Sequence, residues 1–508
     1  MGKQRLSEAT SDAAFPHTDD VWEPSTSDLK SYRHFDALMT PKQIETLVRD
    51  PALVAAHSFR PLLHFEKRWR RAPKNGATPK PKVRHIHFAC RKDAYIYKQY
   101  RSILSRLYEK ILKEEELHNT VLAYRRIPVG AGSNVCKSNI HFAKDAFDTI
   151  ITMGECCAIA IDISDFFGSI NHARLKEVWL RLLGESRLPA DHFAVFKSIT
   201  DYKYADFNEV LVALGFSERS ADGRLQYLRD PKDIPVQLST PREYREKVVK
   251  ANLVHKHRKS YGIPQGTPIS DLLANAYLLG FDVSMKTYVD SFNGAYFRYS
   301  DDILIILPGN ESVADDAFAK AKNEIEKCGN EISLNKNKTD IVCYTPQSPI
   351  QRCYGVAFGD DGNLSRISKN MGLSYLGFRF DGRKVFLRDS TITNLRGKIV
   401  RRCKAEAFYY VRRHIQKELF WLLQNAPLDS LKQQYLDIEN FEEVVNKARL
   451  GGMSPFSEMT FWSYAKRAKR LFGAQGRPID RQLRNIEKLI ERNFIKEIRS
   501  KFSMLHMK

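Results

Sequence analysis

The stretch 295–307, AYFRYSDDILIIL, constrains this chain more than any other: an aromatic strand and an aliphatic strand meet at a tight turn carrying two adjacent acids, Asp301 and Asp302. Runs this apolar read as buried strands. A carboxylate set between them loses hydration, and a second negative charge beside it makes ionising both harder. The pattern recurs upstream, where the apolar run AIAIDI (158–163) ends in an acid, Asp162. Asp is common in turns, and an isolated Ser-Asp-Asp reads as a plain hairpin turn. Here the flanks are apolar on both sides and a third strand-end acid stands upstream, which favours a divalent cation. Mg2+ is held through one or two carboxylates together with substrate phosphate oxygens, and a pair of such ions about 4 Å apart serves in-line phosphoryl transfer.

With 508 residues, 43% of them hydrophobic, the chain can bury more than one core, and its length suggests roughly two to four domain-sized units. No run approaches the ~20 apolar residues of a membrane span. The N-terminus, MGKQRLSEATSDAAF, lacks the apolar core of a secretory signal, and Leu6 stands where a myristoylation site needs Ser or Thr. A soluble, intracellular chain without a membrane partner is expected. The cysteines, at 90, 136, 156, 157, 328, 343, 353 and 403, form no C-x-x-C pair. That argues against a zinc module and for buried, reduced thiols. The charge is more informative. There are 81 Lys and Arg against 60 Asp and Glu, a net +21 with a pI of about 9.5, which points to a polyanionic partner, nucleic acid foremost. Residues 391–508 hold 24 of those cations against 12 acids, so more than half of the excess lies in less than a quarter of the chain.

Along the chain, residues 1–40 are polar and read as a flexible leader. A basic, Pro-punctuated stretch, KRWRRAPKNGATPKPKVRHIHF, ends in strand-like alternation. A long amphipathic helix follows, with Ile103, Leu104, Leu107, Tyr108 and Ile111 at helical spacing. Residues 172–260 are mixed and polar and read as an insertion or an extended helical subdomain. Residues 314–328 are helical, 373–387 a short hairpin around Gly377 and Gly382, and nearly everything beyond 390 is helical.

AIAIDISDFFGSI, then YGIPQGTPISDLLANAYL, then FRYSDDILII resemble motifs A, B and C of reverse transcriptases, in their order. LNKNKT (334–339) resembles motif D and SYLGF (374–378) motif E, so the resemblance covers roughly residues 80–390. It implies an α+β fold of the right-hand polymerase type: fingers over 41–157, a palm with an antiparallel sheet over 158–388, and an α-helical thumb and C-terminal extension over 389–508. It implies an RNA-directed DNA polymerase with two Mg2+ ions, or Mn2+ in their place, on Asp162, Asp301, Asp302 and the backbone carbonyl of Ile163. dNTPs, an RNA template and a DNA product are the partners it implies.

The family pattern assigns further roles. Phe167 lies under the sugar of the incoming nucleotide, where a bulky ring excludes a 2′-hydroxyl; core packing is its alternative reading. Gln265 contacts the nucleotide, and Gly266 permits close backbone approach. Asp271 stands where relatives carry Pro, and suits a helix N-terminus. Lys82 and Arg84 match the fingers strand that holds the triphosphate, surface charge being the competing reading. Lys338 resembles the lysine that protonates the leaving pyrophosphate, and a solvated lysine explains it nearly as well. Gly377 belongs to the primer grip. In the last helix Leu483, Ile486, Ile490, Phe494 and Ile498 form an apolar stripe, while Arg481, Arg484, Lys488, Arg492, Lys496 and Arg499 form a basic one. That basic face is either merely solvated or tracks phosphates.

No RNase H acids follow residue 390, and the retron signatures are missing. What remains resembles the bacterial abortive-infection and defence-associated reverse transcriptases, on YRRIPVGAGSN through IHFAKDAFDTI (124–150) and the basic helical C-terminus with FWSYAKRAKRLF (461–472). That resemblance implies antiphage DNA synthesis on a structured noncoding RNA, often by a homo-oligomer. A mobile-element or retron-like polymerase and a non-catalytic RNA-binding scaffold are the alternatives; a scaffold is expected to lose acids that this chain keeps. If the six basic side chains of the last helix contact phosphates, log K against log[salt] falls with a slope of roughly −5. A salt titration of nucleic-acid affinity showing a slope near zero removes that role.

Overall fold

The computed structural model describes residues 22–69, 81–130, 132–335, 338–347, 350–358, 364–367, 372–436 and 461–506. Pro at the first position and the Thr40 side chain, which accepts from the Gln43 amide, start helix α1 (Pro41–Arg49). Asp50 caps α2 (Pro51–Ala55) in the same way. Strands β1 (Leu62–Trp69) and β2 (Lys82–Phe88) pair antiparallel, and α3 (Arg91–Glu114) buries Leu104, Tyr108 and Leu112 on one face. Helix α4 (Asn139–Met153) leads into β3 (Cys156–Ser164).

Between β3 and the next motif lie α5 (His172–Leu183), α6 (Ala190–Thr200), β4 (Lys203–Asp206), α7 (Phe207–Ala213), the hairpin of β5 (Ser217–Arg219) and β6 (Leu225–Tyr227), the single turn α8 (Pro241–Glu243), and β7 (His255–Lys256). The chain continues through α9 (Ser270–Tyr277), α10 (Leu279–Asp290), β8 (Ala295–Tyr299), β9 (Asp302–Pro308), α11 (Ser312–Glu326), β10 (Ser333–Leu334), β11 (Asp340–Gln347), β12 (Ile350–Phe358) and β13 (Leu364–Ile367). The central sheet has the order β13-β12-β11-β3-β9-β8, with β10 also pairing on β3, and its pairings are antiparallel.

Strand β3 is covered on both faces. Cys157, Ile159, Ile161 and Ile163 belong to one core with α3, α5, α9 and α10, whereas Cys156 and Ala158 belong to a second. That second core holds the meander of β14 (Leu373–Tyr375), β15 (Phe378–Phe380) and β16 (Val385–Leu387), followed by α12 (Asp389–Arg413), α13 (Leu419–Gln424), α14 (Leu428–Leu436), α15 (Phe461–Phe472), α16 (Arg477–Leu483) and α17 (Ile486–His506). Ile399, Cys403, Ala407 and Val411 of α12 share that core with Ile490, Phe494 and Ile498 of α17. Among the described residues no helix is long and apolar enough to cross a membrane.

Several expectations need correction. Of the leader, residues 1–21 lie outside the described residues, but 22–40 are packed rather than loose: Trp22 stacks on Tyr95 of α3, Asp28 pairs with Lys98, and Phe35 is buried. The 172–260 segment is not simply helical. Its β4 runs parallel to β1 and its β7 antiparallel to β4, so both extend the β1–β2 sheet. These strands are four and two residues long, too short to show alternation in sequence. The hairpin at 373–387 is a three-stranded meander turning at Gly377 and Gly382, both at positive φ. The last helix is two helices, α16 and α17, so Arg481 precedes the break, Arg484 lies in the turn that makes it, and Lys488, Arg492 and Lys496 follow it. Cys157 and Cys343 are opposite partners on β3 and β11, their Cα atoms 4.1 Å apart, and are joined as a disulfide; the register brings together thiols that sequence alone leaves unrelated. Of the others, Cys136 is half-buried and the remaining five are buried, all unbonded.

Phe494 is completely buried, and Phe→Ala changes at such sites cost about 3–5 kcal/mol. Phe494→Ala is expected to strip amide-exchange protection from α12 and α17 while leaving β3 and β9 protected.

Candidate active site

Side-chain alternation along β3 determines where Asp162 sits. Even-numbered residues Cys156 and Ala158 face the second core, so Asp162 occupies the same face just where the apolar cover ends. On β9 Leu304 and Ile306 face that core, which places Asp302 on the same side. The register pairs Asp162 directly with Asp302. Ser300, at φ +62°, makes the turn between β8 and β9, and the Asp301 carbonyl accepts the Ile163 amide at 3.1 Å. Three acids distant in sequence are thereby drawn to one end of two adjacent strands.

Their electrostatics follow from that crowding. Burial raises Asp301, and the Asp162 charge adds to it, while Arg84 and Lys338 oppose. Asp302 is pushed up to about 6 by desolvation first, then by Asp301 and Asp162, against Arg388 and Lys338. Asp302 is solvent-exposed, which discounts the desolvation contribution. The direction holds on the two neighbouring carboxylates alone.

Lys338, expected near the leaving group, ion-pairs with Asp162. It is carried there by Asn335, whose amide donates to the Asp162 carbonyl at 2.8 Å and whose carbonyl accepts the Lys338 amide at 3.0 Å. Lys336 and Asn337 of the same motif lie outside the described residues. Ile163 is buried opposite Leu334 of β10. Arg84 lies on the exposed side of β2, close enough to Asp301 to favour its ionised form; Lys82 is exposed two residues earlier in the same strand.

The Gln265 carbonyl accepts the His87 amide at 2.8 Å, which docks the 264–266 turn on β2. Gly266 has φ +119°, and a Cβ there would stand 2.7 Å from the His87 carbonyl oxygen, so only glycine fits. Phe167 is half-buried, and its carbonyl accepts the Ile263 amide at 2.9 Å, tying the 166–169 turn to the same loop. Asp271 lies in the first turn of α9 and takes a forked pair of hydrogen bonds from Arg101 of α3, at 2.9 and 3.1 Å. Gly377 is at φ +93°, and its carbonyl accepts the Arg388 amide at 2.9 Å. Arg481, Arg484, Lys488, Arg492 and Lys496 are all exposed, on helices of the second core; no contact joins them to the acids among the described residues.

Two participants were not legible in sequence. Arg388, at the start of α12, favours the ionised forms of Asp302 and Asp340. Tyr124, at φ +62°, places its hydroxyl 3.3 Å from Ser300 Oγ and sits within the fields of Asp301, Asp271 and Arg84. Neither position carries a local pattern beyond one charge or one ring.

Among the described residues no three His, Cys, Asp or Glu side chains are gathered into a closed metal-ligand set. The donors present at these strand ends are carboxylate oxygens, and Lys338 already answers one of them. Such a set fits Mg2+ or Mn2+ held jointly with substrate phosphates rather than caged by protein.

Residues 230–380 match the family model described as reverse transcriptase (RNA-dependent DNA polymerase). The matched span contains Gln265, Asp301, Asp302, Lys338 and Gly377, and starts after Asp162. Among solved structures, apo telomerase from Candida tropicalis is 12% identical over 88% of this chain and 64% of its own, with a TM-score of 0.38. Telomerase from Candida albicans in complex with a TWJ fragment of telomeric RNA is 12% identical over 90% of this chain and 65% of its own, with a TM-score of 0.36. A C. tropicalis apo telomerase truncated from its C-terminal domain is 14% identical over 59% and 52%, with a TM-score of 0.32. The chain thus spans less than two thirds of these three structures. No curated protein matches it. The antiparallel central sheet, the helical C-terminal region and the family match together give an α+β fold of the right-hand polymerase class.

Divalent-ion binding displaces protons from ligands that hold them. At pH about 6, Mg2+ or Mn2+ binding is expected to release about half a proton from Asp302, seen as calorimetric heats that differ between buffers of unequal ionisation enthalpy. Asp302→Asn removes the difference; buffer-independent heats in the wild type contradict it.

Proposed function

We propose that the protein, which carries a reverse-transcriptase match over residues 230–380, is an RNA-directed DNA polymerase adding dNTPs to a primer. The observation that carries this reading is the β3–β9 register, which sets Asp162 opposite Asp302 with Asp301 beside them. Bound Mg2+ would supply positive charge to the attacking hydroxyl and to the phosphates. Asp162 and Asp301, with the carbonyl of Ile163, would hold those ions, and Asp302 would support them less directly. Arg84 and Lys82 bind the triphosphate. Gln265 and Gly266 shape the nucleotide's seat, and the Phe167 ring closes the space a 2′-hydroxyl would need. Lys338, which ion-pairs with Asp162, would be the group whose Nζ delivers a proton to the departing pyrophosphate.

The biological role we infer is antiphage defence in a bacterial cytoplasm, templated by a structured noncoding RNA. Support comes from the resemblance of residues 124–150 and 391–508 to defence-associated enzymes and from the net +12 of the C-terminal region. Sequencing the RNA and DNA that copurify from phage-challenged cells tests it: product copied from one associated noncoding RNA supports defence synthesis, and product copied from a mobile element's own transcript replaces it.

Two substitutions test the chemistry. Asp301→Ala is expected to abolish dNTP incorporation, and an active variant removes the mechanism. Phe167→Ala is expected to admit ribonucleotides, raising rNTP over dNTP use by about 10-fold or more, of the order that losing a steric exclusion gives.

A further inference from the structure

Arg298 is completely buried, three residues before Asp301. A buried ion pair by itself is poor evidence of stabilisation, since apolar residues of like volume often serve as well. What sets this one apart is its donors. A guanidinium has five N–H groups in a fixed plane, and here all five are engaged. Nε and Nη2 fork onto the two oxygens of Asp282 at 2.6 and 2.5 Å. Nη2 also donates to the Asn275 carbonyl at 2.9 Å. Nη1 donates to Asn275 Oδ1 at 2.9 Å and to the Ser300 carbonyl at 3.2 Å. One planar group therefore joins α9, α10 and the acid-bearing turn.

Asn275 extends the connection. Its Nδ2 donates to the Ala123 carbonyl at 2.9 Å, immediately before Tyr124. The backbone of Arg298 is fastened to the same segment, its amide donating to Thr120 at 2.8 Å and its carbonyl accepting from Leu122 at 2.9 Å. Tyr124 and Ser300 are both left-handed non-glycine residues at φ +62°, and their hydroxyls meet at 3.3 Å beside Asp301. Backbone of that kind persists only where its surroundings over-determine it. The arginine and the asparagine grip the carbonyl of Ser300 and the carbonyl next to Tyr124.

We infer that Arg298 and Asn275 are positioning residues: through the Ser300 carbonyl and the Ala123 carbonyl they fix the two strained residues that aim Asp301 and Asp302 at Asp162. The inference rests on the polymerase reading and adds to it the device that sets the acids' geometry. Lysine supplies charge without the planar fork, so no simple cation replaces it.

The test is steady-state dNTP incorporation by the full-length protein, wild type beside Arg298→Lys and Asn275→Ala, with Mg2+ titrated and thermal melting and primer–template affinity measured in parallel. A displaced acid loses turnover rather than binding, and misplacement by about 1 Å costs on the order of 100-fold. Both variants are expected to lose at least about 10-fold in kcat, to keep KM for dNTP and primer–template affinity within about 2-fold, and to need more Mg2+ for half-maximal rate. If Arg298→Lys fails to fold, Asn275→Ala decides, because it leaves the Arg298–Asp282 pair intact. Wild-type kcat and Mg2+ dependence in folded Asn275→Ala overturn the inference, as does a loss confined to KM or to melting temperature. A wild type that incorporates no dNTP overturns the polymerase reading instead.

Discussion

Everything at the active end of this protein depends on one strand being dry on both faces. β3 separates two cores, with isoleucines on one side and Cys156 and Ala158 on the other. A carboxylate anywhere along its middle would be stranded without water or partner. Asp162 occupies the earliest position on the second-core face where that cover has ended, and the antiparallel register with β9 puts Asp302 across from it. Burial first, and then the crowding of like charges, pushes Asp301 and Asp302 upward, with Lys338, Arg84 and Arg388 set around them as partial compensation.

The segments that carry the remaining site residues are joined to their neighbours by backbone hydrogen bonds, one of which reaches this strand pair. Ile263 donates to Phe167, His87 donates to Gln265, Asn335 donates to Asp162, and Arg388 donates to Gly377. Main-chain links transmit position whatever side chain is present, so the side chains of Phe167 and Gln265 take no part in these links. Side-chain ties appear where separate elements must be braced: Arg101 to Asp271 between α3 and α9, and Arg298 between α9, α10 and the acid turn. Asp271 thus has a side-chain partner, Arg101, that a proline at this position could not have.

Legibility in the sequence followed the range of the signal. The AYFRY–ILIIL hairpin, the strand ending at Asp162, α3 and the helix after residue 269 were each readable because alternation, helical period or a glycine turn acts over a few residues. Strands β4 and β7 were not, because each is too short to carry a pattern and is held only by pairing onto β1 and β4. The break between α16 and α17 was hidden because the apolar spacing of Leu483 and Ile486 runs straight across it. The packing of Phe35 and Trp22 in a segment read as loose came from contacts with residues far along the chain.

By itself, then, the sequence determined the chemistry that three acids at strand ends permit, the bulky ring at Phe167, the glycine at 266 and the cationic C-terminal helices. These are properties of residue type and local order. Tertiary structure decided which groups answer those acids: that Lys338 reaches Asp162, that Arg388 and Tyr124 belong to the site, that Cys157 meets Cys343, and that Arg298 engages all five of its donors beneath the turn. Each of those requires strands and helices distant in sequence to be set in register, and register is fixed by burial of whole faces against one another, which no local pattern records.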